Sequence, residues 1–167
     1  EVGGTSGAGP RAGTRRATLR GSDAKAAPVL LLALMAGVEA KRADWVRDPF
    51  KLTEESGWFY ARGASDDKAM ASVFTDSLIR YRKEGFTPRR SIRLALTCGE
   101  ETADTFNGAS WLIKEHPDAM KAAFALNEGA GGELDGQEKP LALQIQAGEK
   151  VYQDFRLEVT DSGGHSS

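Results

Sequence analysis

The sequence predicts an α/β domain with a mixed sheet flanked by helices. Strand patterns alternate with helical patterns along the chain, which is typical of this class. The run "PVLLLALM" from Pro28 to Met35 is apolar throughout and lies between a proline and a glycine, as in a strand buried on both faces. Two later strand patterns, "SIRLALTC" and "AFALN", each follow a helical pattern. These three observations predict a sheet with helices packed against it.

Two helices are predicted between these strands. Ser65 or Asp66 is expected to cap the first helix, which runs to about Glu84. Asn107 is expected to cap the second helix, which ends at Pro117. Apolar and small residues at helical spacing predict the inner face of the first helix. That face comprises Met70, Val73, Phe74, Ser77, Leu78 and Tyr81.

The two ends of the chain have different patterns. Residues 1–18 are rich in glycine, alanine and arginine, which predicts an irregular segment, with a short edge strand in the adjoining "ATLRGS". Near the other end, "LALQIQAG" and "VYQDFRLEVTD" alternate apolar and polar residues, as antiparallel strands do. We therefore expect the two antiparallel strands near this end to open a different subdomain.

Composition excludes several classes of partner. The 167 residues are 40% hydrophobic and 28% charged, as in an ordinary folded domain. A net charge of −2 provides no basic field, so we expect neither nucleic acid nor a membrane as partner. We predict a soluble protein, because the longest apolar run is about half the length of a membrane span. The chain begins at Glu1 without a methionine, so we expect an incomplete N-terminus that leaves an export signal and the compartment open.

Acidic residues gather after strands and at a helix start. "GASDDK" carries Asp66 and Asp67, "CGEET" carries Glu100 and Glu101, and "NEG" carries Glu128. Sites in open α/β sheets form beyond the carboxyl ends of strands. Carboxylates collected there repel one another unless a cation neutralises them. The three clusters predict a metal site, with solvated loop carboxylates and helix N-termini as the alternative.

Several stretches resemble, in the same order, the co-catalytic zinc peptidase family. This family includes aminoacylases, glutamate carboxypeptidase, acetylornithine deacetylase and succinyl-diaminopimelate desuccinylase. The resemblance extends over about residues 19–167 and is closest to the carboxypeptidase-type members. It implies an incomplete zinc exopeptidase-like catalytic domain over 19–148 and the first strand of a lid or dimerisation domain over 149–167. The matching stretches are "YARGASDDKA", "LALTCGEET", "NGASWL", "ALNEGAGG" and "SGGHSS".

The resemblance implies a role for each of five residues. Asp66 would bridge two zinc ions, Glu101 would bind one of them and Glu128 the other. Glu100 would be the general base that activates the bridging water and later protonates the leaving amine. His165 would polarise the substrate carbonyl, often across a dimer interface. The implied enzyme is a metallopeptidase or N-acyl-amino-acid amidohydrolase that hydrolyses amide bonds of peptides or N-acyl amino acids. Its full-length form could form a homodimer through the lid.

One stretch departs from the family pattern. At the end of the buried strand the family has a His-x-Asp motif, whose histidine binds zinc and whose aspartate orients the site. Leu34 and Ala36 occupy these two positions here. A second histidine ligand of the family lies beyond the last residue of this chain, so only carboxylates would remain, a set that favours Mg²⁺ or Ca²⁺ over zinc. We expect weakened zinc binding and impaired hydrolysis; the alternative is a catalytically inactive homologue that binds a peptide or protein partner.

Overall fold

The computed structural model of the chain contains two compact units, Glu1–Glu128 and Gly129–Ser167. It describes residues 2–6, 13–35, 37–101, 106–145, 147–148, 150–151, 153–161 and 163–164. The boundary predicted after residue 148 lies inside the second unit. The assignment of the two predicted segments to a catalytic and a lid domain stays a prediction. No helix of the described residues is long and apolar enough to cross a membrane.

The first unit contains a five-stranded mixed sheet with helices on both faces, which confirms the predicted α/β class. In chain order its elements are β1 (Val2–Ser6), β2 (Gly13–Leu19), β3 (Val29–Leu34), a 3₁₀ turn (Arg42–Asp44), β4 (Thr53–Glu55), β5 (Trp58–Tyr60), α1 (Lys68–Lys83), β6 (Ile92–Thr97), α2 (Gly108–Glu115), α3 (Pro117–Met120) and β7 (Phe124–Leu126). The strand order in the sheet is β1-β2-β6-β3-β7. β3 runs parallel to both β6 and β7, and β2 runs antiparallel to β1 and β6.

The apolar run from Pro28 to Met35 forms the central parallel strand, β3. Leu30 packs into a cluster with Leu112 of α2 on one face of the sheet. Leu31 packs with Leu78 of α1 on the other face. Because both faces are covered by helices, every position of this strand favours an apolar side chain. The prediction of a strand buried on both faces is therefore confirmed.

The first helix differs from its prediction at the start and along its inner face. α1 begins at Lys68, and the residue before it is Asp67 rather than the predicted cap Ser65 or Asp66. The packed stripe follows positions 71, 74, 78 and 81, with Ala71 buried. Val73 lies beside this stripe and is 62% exposed, so its assignment to the inner face was wrong. In α2 the predicted cap is confirmed, because the Asn107 side chain accepts a hydrogen bond from the Ser110 N–H.

The N-terminal region is regular where it is described. Residues 2–6 and 13–19 form the antiparallel strands β1 and β2, so the prediction of an irregular segment is wrong for these residues. β2 is not an edge strand, because it also pairs with β6. Ala17 and Leu19 pack against the α1 side of the sheet, and Thr14 is fully buried. The alternation of inward-facing and outward-facing residues in β2 is short and is interrupted by arginines. It is therefore not evident in a glycine- and arginine-rich sequence.

The last strand of the sheet is more exposed than predicted. Among the described strands β7 pairs only with β3, and Phe124 and Leu126 are 54% and 49% exposed. A short apolar pattern such as "AFALN" predicts a strand but does not show how many neighbours the strand has. The interpretation of a buried strand was therefore wrong here, although the strand itself is present.

The described residues of the second unit form one antiparallel hairpin. Its strands are β8 (Gly132–Leu134) and β9 (Pro140–Leu143), and β9 includes the start of the predicted strand "LALQIQAG". In "VYQDFRLEVTD", residues 151 and 153–161 form no strand, and Phe155 and Leu157 are more than 80% exposed. The predicted lid strand is therefore not formed by these described residues. An alternating pattern makes a strand only where a neighbouring strand pairs with it.

Candidate functional site

Three parallel strands end side by side at one edge of the sheet. β3 lies between β6 and β7, and Leu34 is its last residue. Glu100 and Glu101 follow the end of β6, and Glu128 follows the end of β7. The parallel order therefore places two of the predicted acidic clusters on either side of Leu34.

A tight turn after β6 directs the chain toward this edge. Gly99 has a φ of 75°, in the left-handed region that glycine adopts without strain. A Cβ atom there would lie 1.6 Å from the carbonyl oxygen of Phe106, so no other residue fits without moving the backbone. This explains the glycine in "CGEET": it lets the chain turn before the two glutamates.

Asp67 joins the start of α1 to the end of β3. Its Oδ2 atom accepts a hydrogen bond of 3.0 Å from the backbone N–H of Leu34, and the residue is only 3% exposed. The carboxylate makes no cap bond to its own helix. The peptide bond between Asp66 and Asp67 is cis. The hydrogen bond holds the loop that carries Asp66 beside the strand ends.

The carboxylate of Asp66 lies close enough to two predicted ligands, Glu128 and Glu101, to raise the pKa of both. Although Glu128 is exposed overall, desolvation of its carboxyl and the charges of Asp67, Asp66 and Glu100 raise its pKa to about 7. The structure thus places Asp66 and Glu100 near enough to Glu101 and Glu128 for their charges to raise the pKa of both glutamates. The proximity of four like charges favours a proton or a cation among them.

Glu101 also has a positively charged neighbour, Arg62. Desolvation raises its pKa, and the charges of Asp66 and Glu100 raise it further, whereas the guanidinium of Arg62 lowers it. Arg62 is half-buried, and its guanidinium lies 5.3 Å from the centre of the Trp45 ring. Sequence reasoning did not single out this arginine. The signal for it was its position in "YARGASDD", where a cation precedes the acidic pair by four residues.

With metal chelated, we expect the free energy of unfolding to fall as the pH rises from about 4.5 to about 7. The ordinary pKa of 4.5 applies to Glu128 in the unfolded chain, and the value of about 7 applies in the folded chain. Between these values the folded state binds more protons, so raising the pH favours unfolding. Urea unfolding over this range measures the slope. Glu128→Gln should flatten the slope of unfolding free energy against pH. The control Glu115→Gln, which changes an exposed glutamate of α2, should leave the slope unchanged. Equal slopes for the parent and Glu128→Gln would contradict the raised pKa of Glu128.

The residues present do not fit a pair of zinc ions. Catalytic zinc usually has three protein ligands and prefers nitrogen or sulfur, whereas only carboxylates are gathered here. Leu34, at the expected histidine position, is a buried leucine and offers no donor. Over the described residues, no group of three or more His, Cys, Asp or Glu side chains is arranged to hold an ion. Ala36 and His165 lie outside the described residues.

The fold and the acidic edge agree with comparisons against known proteins. The chain belongs to peptidase family M20/M25/M40, whose family model matches residues 35–163. This confirms the resemblance to a family of metal-dependent hydrolytic enzymes that includes aminoacylases and carboxypeptidases. The curated relatives that the chain matches are longer than the chain itself.

The curated relatives include an N-fatty-acyl-amino acid synthase/hydrolase and an aminoacylase. The chain is 36% identical over 159 residues to the N-fatty-acyl-amino acid synthase/hydrolase PM20D1 of Homo sapiens, covering 90% of this chain and 30% of the relative. It is 28% identical over 124 residues to aminoacylase-1A of Rattus norvegicus, covering 74% of this chain and 29% of that protein. The chain thus spans about 30% of the length of the curated relatives it matches.

Solved structures show the same fold. An M20 family metallo-carboxypeptidase from Sulfolobus solfataricus superimposes with a TM-score of 0.61 at 24% identity, covering 82% of this chain and 30% of that chain. Human carnosine dipeptidase 1 superimposes with a TM-score of 0.55 at 25% identity, covering 68% of this chain and 24% of that chain.

Proposed function

We propose that this chain carries the acidic part of a metal-dependent amide hydrolase site. One observation carries the proposal: at the carboxyl edge of the sheet, the Asp66 carboxylate lies close enough to Glu101 and Glu128 to raise the pKa of both. Carboxylates held this close in a partly desolvated site favour a bound cation. Family membership supports hydrolysis as the chemistry of such a site.

Each acidic residue has a distinct proposed task. Asp66 would be the ligand that both metal ions share, and Glu101 and Glu128 would each hold one ion; the charge of Asp66 acts on both glutamates. The negative charge of Glu100 raises the pKa of both Glu101 and Glu128, so its carboxylate lies near theirs. Glu100 would accept a proton from the attacking water and then donate it to the departing amine nitrogen as the C–N bond breaks. His165 would polarise the substrate carbonyl.

The metal is the weakest part of the proposed site. The family implies two zinc ions, but the donors gathered here are carboxylate oxygens, which suit Mg²⁺ or Ca²⁺ better than zinc. We propose that Leu34 and Ala36, in place of a His-x-Asp pair, weaken zinc binding and impair hydrolysis. In this chain a divalent cation would neutralise the acidic cluster without a nitrogen ligand.

The proposed substrates are peptides or N-acyl amino acids with a free carboxylate. The names of the relatives support this class, since they include an aminoacylase, an N-fatty-acyl-amino acid hydrolase and a carboxypeptidase S-like protein. A homodimer through a lid domain remains part of the proposal for the whole protein.

Leu34 favours a second candidate function. Leu34 is buried at the end of the central strand and cannot bind a metal ion. The strand itself still forms, so the edge of the sheet remains available to a partner. The chain could then be a catalytically inactive homologue that binds a peptide or protein partner. This candidate predicts binding without turnover under every metal condition.

Hydrolysis assays with Glu100→Gln test the proposal. The parent chain is incubated with N-acetylmethionine and with a dipeptide, in Mg²⁺, Ca²⁺, Zn²⁺ or chelator, and the released amino acid is measured by mass spectrometry. We expect slow, metal-dependent release that falls by about 10²–10⁴-fold in Glu100→Gln, because the isosteric amide cannot accept the proton.

The matched control for this assay is Glu115→Gln, which removes an exposed glutamate of α2 and should leave the rate unchanged. Release that persists in Glu100→Gln would contradict the role of Glu100. Dipeptide binding without release in any metal would favour the inactive homologue.

A further inference from the structure

A concave site lies on the α1 side of the sheet, away from the acidic residues. It is a cavity of about 620 Å³ between α1 and the strands β2 and β6. This volume is within the range of about 300–1,000 Å³ that small-molecule sites have. Ala17, Leu19, Leu94 and Leu96 of the two strands and Leu78 and Ile79 of α1 line its apolar part.

The cavity exists because α1 does not cover β2. α1 packs mainly against β3 and β6, with Leu78 buried among Leu31 and Leu94. Of the β2 residues on the α1 side, Ala17 has a small side chain that leaves space beside Leu19. Ile79 borders that space and is 47% exposed. An apolar side chain that is half open to solvent at a concave surface is a natural contact for an apolar ligand.

Among the described residues, every charged one that lines the cavity is a cation. These residues are Arg15 and Arg16 of β2 and Arg82 and Lys83 at the end of α1. All four are exposed, so their charged heads lie at the solvent side of an apolar depression. Their concentration is local, because the whole chain has a net charge of −2. The cavity therefore combines an apolar floor with a positive rim.

We propose that this cavity binds a small amphiphile that has an apolar chain and one anionic head, such as a long-chain carboxylate. The chain would occupy the space above Ala17 against Ile79, where burial of apolar surface favours binding. The carboxylate would lie among Arg15, Arg82 and Lys83. A neutral amphiphile would gain only the apolar contact, and a short anion would gain only the weak attraction of exposed charges.

The proposed cavity is separate from the acidic site. None of Asp66, Asp67, Glu100, Glu101 and Glu128 lines it, and the signs of charge at the two places are opposite. The inference therefore stands independently of the proposed hydrolase function.

Calorimetric titration of the 167-residue chain tests the two parts of the ligand. Myristate is compared with myristyl alcohol, which lacks the charge, and with acetate, which lacks the chain, all below the concentration at which myristate aggregates. We expect one myristate per chain, about tenfold weaker binding of the alcohol, and no detectable binding of acetate. Equal binding of myristate and the alcohol would overturn the proposed role of the basic rim.

Two variants locate the binding. Ile79→Trp fills the cavity with a larger side chain and should abolish myristate binding. The control Ile113→Trp introduces the same residue at a 60% exposed position of α2 and should bind like the parent chain. The double variant Arg82→Glu/Lys83→Glu should weaken myristate binding about tenfold. The control double variant Lys114→Glu/Lys139→Glu makes the same change of charge away from the cavity and should bind myristate like the parent chain.

Circular dichroism establishes that each variant is folded. If Ile79→Trp does not fold, the two charge-reversal pairs decide the test. Unchanged affinity in both Ile79→Trp and Arg82→Glu/Lys83→Glu would overturn the proposal. A concentration-dependent dimer in sedimentation that Ile79→Trp disrupts, without myristate binding to the parent, would assign the cavity to a second copy of the chain and overturn it as well.

Discussion

Replacing Leu34 by histidine and Ala36 by aspartate should increase zinc affinity by at least the roughly 10–100-fold that partners of metal ligands alone contribute. Leu34 ends the central strand, between the glutamates that follow β6 and the glutamate that follows β7. A histidine there would add the nitrogen donor that zinc prefers and that the cluster of carboxylates lacks. Zinc bound per chain is measured by equilibrium dialysis and elemental analysis.

The same double variant should be less stable than the parent in chelator and regain stability with zinc. Leu34 is 3% exposed, so a histidine without metal places a polar ring in a buried apolar position. Zinc that binds only the folded chain then raises the unfolding temperature by mass action. Ile113→His adds a histidine to an exposed position of α2 and should gain neither property. An equal zinc gain in that control, or none in the double variant, would contradict the proposed position of the missing ligand.

The central strand and the acidic edge could be predicted from the sequence for a physical reason. A strand covered by helices on both faces must be apolar at consecutive positions, and Val29–Leu34 has this pattern. Parallel strands carry their carboxyl ends to one edge, so acidic residues that follow successive strands are expected to meet there. The position of Glu100, Glu101 and Glu128 at this edge follows from these two facts, whereas the position of Asp66, in the loop before α1, does not.

Long-range partners could not be predicted from local patterns. The acceptor of the Leu34 N–H is Asp67, a residue 33 positions away, and nothing near either residue indicates this pairing. The strand Gly13–Leu19 gains its regularity from pairing with Ile92–Thr97, although its own composition indicates an irregular segment. Phe124 has the pattern of a buried strand, yet it lies on a strand with one neighbour. In each case the number and identity of the neighbours decides the outcome, and local sequence carries little of that information.

Asp67→Ala should lower the free energy of unfolding by about 1–3 kcal/mol, because it leaves the buried N–H of Leu34 without an acceptor. The carboxylate is 3% exposed and accepts this hydrogen bond at 3.0 Å. Asp67→Asn retains a side-chain oxygen for the N–H and removes a negative charge that also raises the pKa of Glu128. We therefore expect Asp67→Asn to lose much less stability than Asp67→Ala.

Urea unfolding in chelator at a pH near 8, where the glutamates are ionised, separates the two contributions of Asp67. Asp76→Ala removes an exposed carboxylate of α1 and serves as the control for a lost charge on the same helix. If the hydrogen bond to Leu34 dominates, stability follows the order parent, Asp67→Asn, Asp67→Ala. If repulsion within the acidic cluster dominates instead, both Asp67 variants should be at least as stable as the parent. That result would mean that the carboxylate is retained at a cost to stability, as expected of a residue that serves a cation at this edge of the sheet rather than the fold.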